Sequence, residues 1–330
     1  MWTSDDIPFS LFDSMDPEDL WAHLAAYEER TGGRAFAIPH NGNLSNGLMF
    51  SDKDFSGNDM DQAYAAARLH WEPLMEISQI KGDGETHPLL STEDEFADYE
   101  TWDGSNIDGS APKEEWMLQY EYGRSALKLG LQLGSRLGAN PYMFGITAAT
   151  DAHTALATTR DEVVLPDFTS EGYSRGVPMG GTLVDAPDGA APRFLIRALR
   201  DPDGANLDRV QVIKGWLDDD GEAHERIYDV AVSDDREIDA DGRAREPVRN
   251  TVDIATASYT NTAGDAMQAA HWVDPDFDPR EAAFYYVRVL QIPTPRWTTY
   301  DAAFFDIDLP DNVPATIQDR AYTSPIWYTP

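Results

Sequence analysis

Cysteine is absent from the 330-residue chain, so disulfides and thiolate metal sites are excluded. Any metal must then be held by His, Asp, Glu or main-chain oxygens. Lysine is scarce: Lys53, Lys81, Lys113, Lys128 and Lys214 are the whole set, and arginine carries the remaining positive charge. No stretch approaches the ~20 apolar residues that a membrane span requires. The opening "MWTSDDIPFS" has neither a basic region nor an apolar core, so no signal peptide is visible. The chain reads as soluble, with its compartment unassigned. Positive charge is short overall, with 25 basic residues against 59 acidic ones and a net charge of −34. A nucleic-acid partner is disfavoured, because phosphates require a basic groove. An acidic membrane face is disfavoured for the same reason. Abundant carboxylates with few lysines suit a surface that stays soluble in high salt, where repulsion is screened.

Hydrophobic residues make up 42% of the chain, enough for a core and for two domains. The first half alternates helices and strands. "DPEDLWAHLAAYEER" opens with Asp16 as N-cap and Pro17 at the first helical position. "RAFAIP" reads as a buried strand, "DMDQAYAAARLHW" as a helix and "PLMEISQI" as a second strand. "PKEEWMLQYEYGRSALKLGLQLGSRLG" reads as one long helix, with Trp116, Tyr120, Leu127 and Leu131 at helical spacing, and "PYMFGITAAT" as a third strand. This alternation predicts a parallel sheet or a barrel. The acidic, turn-rich stretch between the second strand and the long helix is of a length usually reserved for functional or mobile loops. From about Val177 the pattern turns to strands separated by Asp/Gly turns, which predicts an all-β, sandwich-like half. The expected division is an α/β metal-binding domain over residues 1–165 and a β-rich domain over residues 177–330.

Metal ligands in parallel α/β folds gather where strands run into loops. Three such places occur in the first half. His40 follows "AFAIP"; alone it fits a hydrogen-bonded structural role as well as a ligand. Asn41 and Asn43 beside it could cap a turn, orient ligands or contact substrate oxygens. Glu76 lies inside "LMEISQI", and a carboxylate buried there needs an arginine or a metal, unless the position faces outward. Asp151 and His153, in "TDAH", stand two residues apart, so both side chains share one side of an extended turn. A hard oxygen with an imidazole suits Zn, Mn or Fe. His87 is a candidate for a further ligand, a catalytic group or a substrate contact, with solvent exposure as its bland alternative. Lys81 could neutralise a phosphate, against the alternative of a surface lysine.

Five segments, "AIPHNGNLSNGLMF", "EPLMEISQIKGDGETHP", "FGITAATDAHTALATTR", "IPTPRWTTYDA" and "AYTSPIWYTP", resemble a bacterial family catalogued as domain of unknown function 3604. That family is similar to the polymerase-and-histidinol-phosphatase (PHP) superfamily of metal-dependent phosphoesterases. The resemblance covers nearly the whole chain. It implies a distorted β/α barrel with Zn, Mn or Fe ions at the strand ends. It makes His40, Asp151 and His153 metal ligands and Glu76 a further ligand or catalytic group. The chain departs from the superfamily in having no His-x-His motif, and only three strand–helix units precede the β-rich half. The expected fold is therefore an incomplete PHP-like barrel followed by a β-sandwich-like domain. Its open sheet edge would be covered by the β domain, by a second copy of the chain or by further sequence.

Two functions compete. One is a metal-dependent hydrolase of a small-molecule phosphoester, impaired by the missing first-strand ligands. The other is a non-catalytic remnant or binding module. Trp216, Trp272 and Trp297 could also supply stacking faces for a carbohydrate, with burial in the core as the alternative.

Overall fold

The computed structural model describes residues 9–148 and 176–330. Asp151 and His153 lie outside the described residues. The chain divides into two compact units, Met1–Arg160 with Asp219–Ala223, and Asp161–Asp218 with His224–Pro330.

In the first unit, α1 (Pro17–Thr31) starts as its sequence dictates. Asp16 accepts a hydrogen bond from the Glu18 amide at 3.0 Å, and Gly32 closes the helix in the left-handed region. Trp21 is buried from α1 and donates through Nε1 to Glu72 at 3.0 Å. Helix α2 (Gln62–Trp71) is capped by Asp61 and leads into β1 (Leu74–Glu76). β1 pairs in parallel with β4 (Gly145–Thr147), placing Glu76 opposite Thr147. A short hairpin, β2 (Ser78–Gln79) with β3 (Gly82–Asp83), follows β1 directly.

Two expected elements differ. "AFAIP" is extended but is not a buried strand. Among the described residues, the main-chain bonds from the Ala37 amide to Trp71 O and from the Glu76 amide to Pro39 O tie it to the α2–β1 segment, and Phe36 and Ile38 are 52% and 39% exposed. Pro39 has no N–H to extend the ladder. The long helix is broken into α3 (Glu115–Leu118) and α4 (Gly123–Leu137). The break is compensated because the Gly123 and Arg124 amides donate to Gly84 O and Glu85 O. Trp116 consequently points to solvent, while Leu127 and Leu131 face the core. The parallel strands do not close a barrel among the described residues.

The acidic loop after β3 begins as core. Asp83, Glu85, Thr86 and His87 are buried, as are Ser91 and Asp94. Arg124, at the start of α4, meets Glu85 at 2.5 Å and Asp94 at 2.8 Å and donates to Ser91 Oγ at 3.2 Å. A buried guanidinium with two carboxylates holds the loop onto α4.

The second unit is β-rich. Its main sheet runs β5 (Thr182–Val184), β12 (Ile326–Thr329), β10 (Ala283–Gln291), β7 (Leu207–Leu217) and β8 (Ala223–Val232), with β11 (Arg320–Tyr322) also on β10. A separate pair, β6 (Arg193–Leu199) with β9 (Met267–Val273), is antiparallel. Phe194 and Ile196 of β6 pack with Val210, Val212, Tyr285 and Tyr328 of the main sheet. The alternating buried and exposed pattern of β6 fits a one-faced strand, whereas β7 is buried on both faces. On its other face β7 carries Arg209 and Gln211, bonded to Asp229, and Gln211 also accepts from Arg288 of β10. Trp272 belongs to an aromatic cluster with Phe194, Tyr228 and Tyr285, and Trp216 stacks on His224. Trp297, in α5 (Trp297–Phe305), is exposed. Among the described residues no helix is long and apolar enough to cross a membrane.

Candidate functional site

A small cleft opens at the C-terminal end of β1. Asn41, Asn43, Glu76, Gln79, Gly82 and Glu121 are among its walls. Its cavity volume is about 10 Å³, room for one water-sized group.

The run of asparagine and glycine after His40 is explained by what it wraps. Asn41 and Asn46 both adopt φ 56°, a left-handed conformation asparagine tolerates, on either side of a single 3₁₀ turn at Gly42–Leu44. This loop encloses an ion pair between Lys113 and Glu121, 2.6 Å apart, with side chains 6% and 0% exposed. Lys113 also donates to Asn43 O at 2.9 Å, and the Gly47 amide donates to Glu121 Oε1 at 3.0 Å. A methyl group on Gly42 would stand 2.6 Å from Glu121 O, so only glycine fits that approach.

Glu76 projects from the last residue of β1. Gln79 donates through Nε2 to Glu76 Oε2 at 3.1 Å and to Asn41 Oδ1 at 2.7 Å, linking the strand end to the loop. Asn43 is buried and donates to Lys81 O at 3.1 Å, so the main chain of Lys81 belongs to the cleft's frame. The neighbouring His40 is exposed, and its Nδ1 makes a long 3.4 Å contact with Ile38 O.

His87 does not line the cleft; it sits in the buried part of the acidic loop. Its Nδ1 accepts from the Leu89 amide at 3.1 Å, so the neutral ring carries its proton on Nε2 and donates to Asp103 at 3.2 Å. Its ring lies 5.5 Å from that of Tyr122. The Tyr122 hydroxyl is buried with no hydrogen-bond partner among the described residues. Burial, with the negative charges of Asp83, Glu121 and Asp103 nearby, holds this phenol far above its usual ionisation range.

Sequence reading thus finds Asn41, Asn43 and Glu76 at one cleft, with His40 exposed and not among its walls, Lys81 in its frame and His87 elsewhere. It misses Gln79, Lys113 and Glu121. Glu121 hides inside an apparently helical run. Lys113 carried a signal, since a lysine in a chain with five of them is a candidate for a specific pairing.

The donors present are a carboxylate, an imidazole and amide oxygens, the types that bind Mn, Zn or Fe. Among the described residues, however, no group of three or more His, Asp or Glu is arranged to hold a metal ion. The described part of the cleft is therefore not a complete metal centre by itself.

The family model described as Protein of unknown function (DUF3604) matches residues 2–164 and 159–330. The chain belongs to this DUF3604 family. Neither a curated protein nor a solved structure matches it. Membership of DUF3604 ties both units to one family without assigning a reaction.

Proposed function

We propose that this DUF3604 chain is a metal-dependent hydrolase of the PHP type, acting on a small-molecule phosphoester, with the first unit as the remaining part of a PHP-like barrel and the β-rich unit as a sandwich-like appendage. The observation that carries the reading is the cleft at the C-terminal end of the parallel strand β1, where Glu76 meets the Asn41–Asn43 loop directly after His40. In parallel α/β folds this is the rim where ligands bind. Asp151 and His153 follow β4 in the sequence by four and six residues past Thr147. In this reading His40, Glu76, Asp151 and His153 hold a divalent Zn, Mn or Fe ion. When bound, such an ion supplies Lewis-acid polarisation of an ester oxygen. Gln79 fixes the Glu76 carboxylate by donating to one of its oxygens, and Asn41 fixes Gln79 in turn. The test is hydrolysis of a chromogenic phosphomonoester and a phosphodiester with added Mn or Zn. Turnover that disappears in His153→Ala supports the reading. A folded protein with no turnover under any metal contradicts it.

A specific observation favours a second reading, a binding module without catalysis. Glu76 is already engaged by a neutral amide, and His40 stands exposed rather than facing the cleft. Ligand binding without turnover separates this reading from the first.

A further inference from the structure

The hydrogen bonds of the extended segment 35–39 are made by alternate residues. Ala35 donates to Glu28 Oε1 at 2.8 Å, Ala37 donates to Trp71 O at 2.7 Å, and Pro39 O accepts from the Glu76 amide at 2.9 Å. Successive residues of an extended chain turn their amides and carbonyls to opposite edges, so those of Phe36 and Ile38 face away from β1. Phe36 and Ile38 make no main-chain bond among the described residues, and Ile38 O has only the long 3.4 Å contact with His40 Nδ1. Their side chains share one face and are 52% and 39% exposed. Proline commonly blunts an edge, but Pro39 has its missing N–H on the β1 side and leaves the outer edge unblocked.

An open apolar edge of this kind recruits an extended strand. Charge selects which one. The chain as a whole carries −34, yet between Glu29 and Asp52 it has no carboxylate, and Arg30 and Arg34 lie in that span. Two like-charged copies can therefore meet at this edge without opposing carboxylates from the strand itself, while a basic peptide would meet the two arginines. The edge is also complementary to itself. In antiparallel pairing about a two-fold axis at Ala37, Phe36 of one copy stands opposite Ile38 of the other, and Ile38 opposite Phe36. Each such pair exchanges both of its main-chain bonds, which satisfies the outward amides and carbonyls of both copies. It also sets an aromatic ring against a β-branched side chain, a favourable cross-strand pair.

We propose that the outer edge of segment 35–39 is the site at which a second copy of this chain docks, by antiparallel strand addition with Phe36 against Ile38. A contact this short falls below the area of a standard interface, so the dimer forms and dissociates with concentration. Screening of the net repulsion by salt strengthens it. The inference is independent of the hydrolase reading, and no metal enters its test.

The experiment is analytical ultracentrifugation of the full chain, up to about 1 mM protein, in KCl at about 0.1 M and about 1 M. The average mass is expected to rise from that of one chain towards twice that value as concentration increases, and to do so at lower concentration in the higher salt. Ile38→Pro removes an outward amide that makes no bond within the single chain, and Phe36→Lys places a charge across the edge. Each should weaken self-association about tenfold or more. Phe36→Lys changes an exposed residue and keeps the fold if Ile38→Pro does not. It also lowers the net negative charge, so its loss of dimer cannot come from general repulsion. Phe304→Ser, on the exposed helix α5, should leave self-association unchanged. A chain that stays monomeric throughout, a dimer undiminished by Phe36→Lys, or a dimer lost in Phe304→Ser instead would each overturn the proposal.

Discussion

At the scale of single residues, the feature that organises the first unit is the Lys113–Glu121 pair under the asparagine–glycine loop. Removing one partner of a buried pair leaves an uncompensated charge, a loss of about 3–5 kcal/mol. Lys113→Met should therefore lower the unfolding free energy by that amount, with Glu121 stranded at 0% exposure. A loss well under about 1 kcal/mol in urea unfolding would show that the pair does not hold the loop. The buried tyrosines set a second expectation. Burial pushes the Tyr64 phenol up to about 12, and it raises Tyr142 too, in both cases against the opposing pull of Arg68. A phenol whose folded pKa lies above its unfolded value of about 10 stays protonated in the fold while the unfolded chain ionises. Stability is thus intact below about pH 10 and falls from there towards pH 12, by about 1.4 kcal/mol per pH unit for a fully buried phenol such as Tyr142. Chemical denaturation between pH 9 and about 12 checks this; a flat profile would contradict the burial of these phenols.

At the scale of elements, legibility follows locality. Helix α1 was readable because its start signals are contiguous: Asp16 and Pro17 act within a residue or two of the helix end. The α3–α4 break was not readable, because its cause lies about 40 residues away in the carbonyls of Gly84 and Glu85 that take the Gly123 and Arg124 amides. "AFAIP" failed as a buried strand for a related reason: its apolar run is unbroken, but burial depends on a neighbour that the segment itself does not specify. At the cleft, Glu76 was legible because a carboxylate inside an apolar strand stands out. Glu121 was not, since a glutamate in a helical pattern ordinarily faces water. The β-rich half was legible from its strand-and-turn rhythm, though the charged lining of β7 by Arg209 and Gln211 was not. Helix α5 carries Trp297, Tyr300, Phe304 and Phe305 with only Thr299 buried. Phe304, 81% exposed, contributes little to its own unit, so Phe304→Ser should leave the unfolding free energy within the range of surface substitutions, about ±0.5 kcal/mol. A drop of about 2 kcal/mol or more would show that this face is covered in solution.

At the scale of the whole molecule, charge dominates. A chain with 59 acidic and 25 basic residues repels itself in the folded state more than in the expanded one. Raising KCl from about 0.1 M, where charges feel each other over about 10 Å, to about 1 M, where the range is about 3 Å, should raise the melting temperature monotonically. A melting temperature that falls or stays level with salt would mean that attractive ion pairs, such as those of Arg124 and Lys113, outweigh the net repulsion. The proposed site is a divalent metal ion held by His40, Glu76, Asp151 and His153. Metal analysis of the purified, dialysed protein tests it most directly. At least one Zn, Mn or Fe ion is expected to be retained per chain, lost on chelation and lost again in Glu76→Gln and His153→Ala proteins that still fold. A folded wild-type chain that retains no metal, or variants that retain as much as wild type, would contradict it.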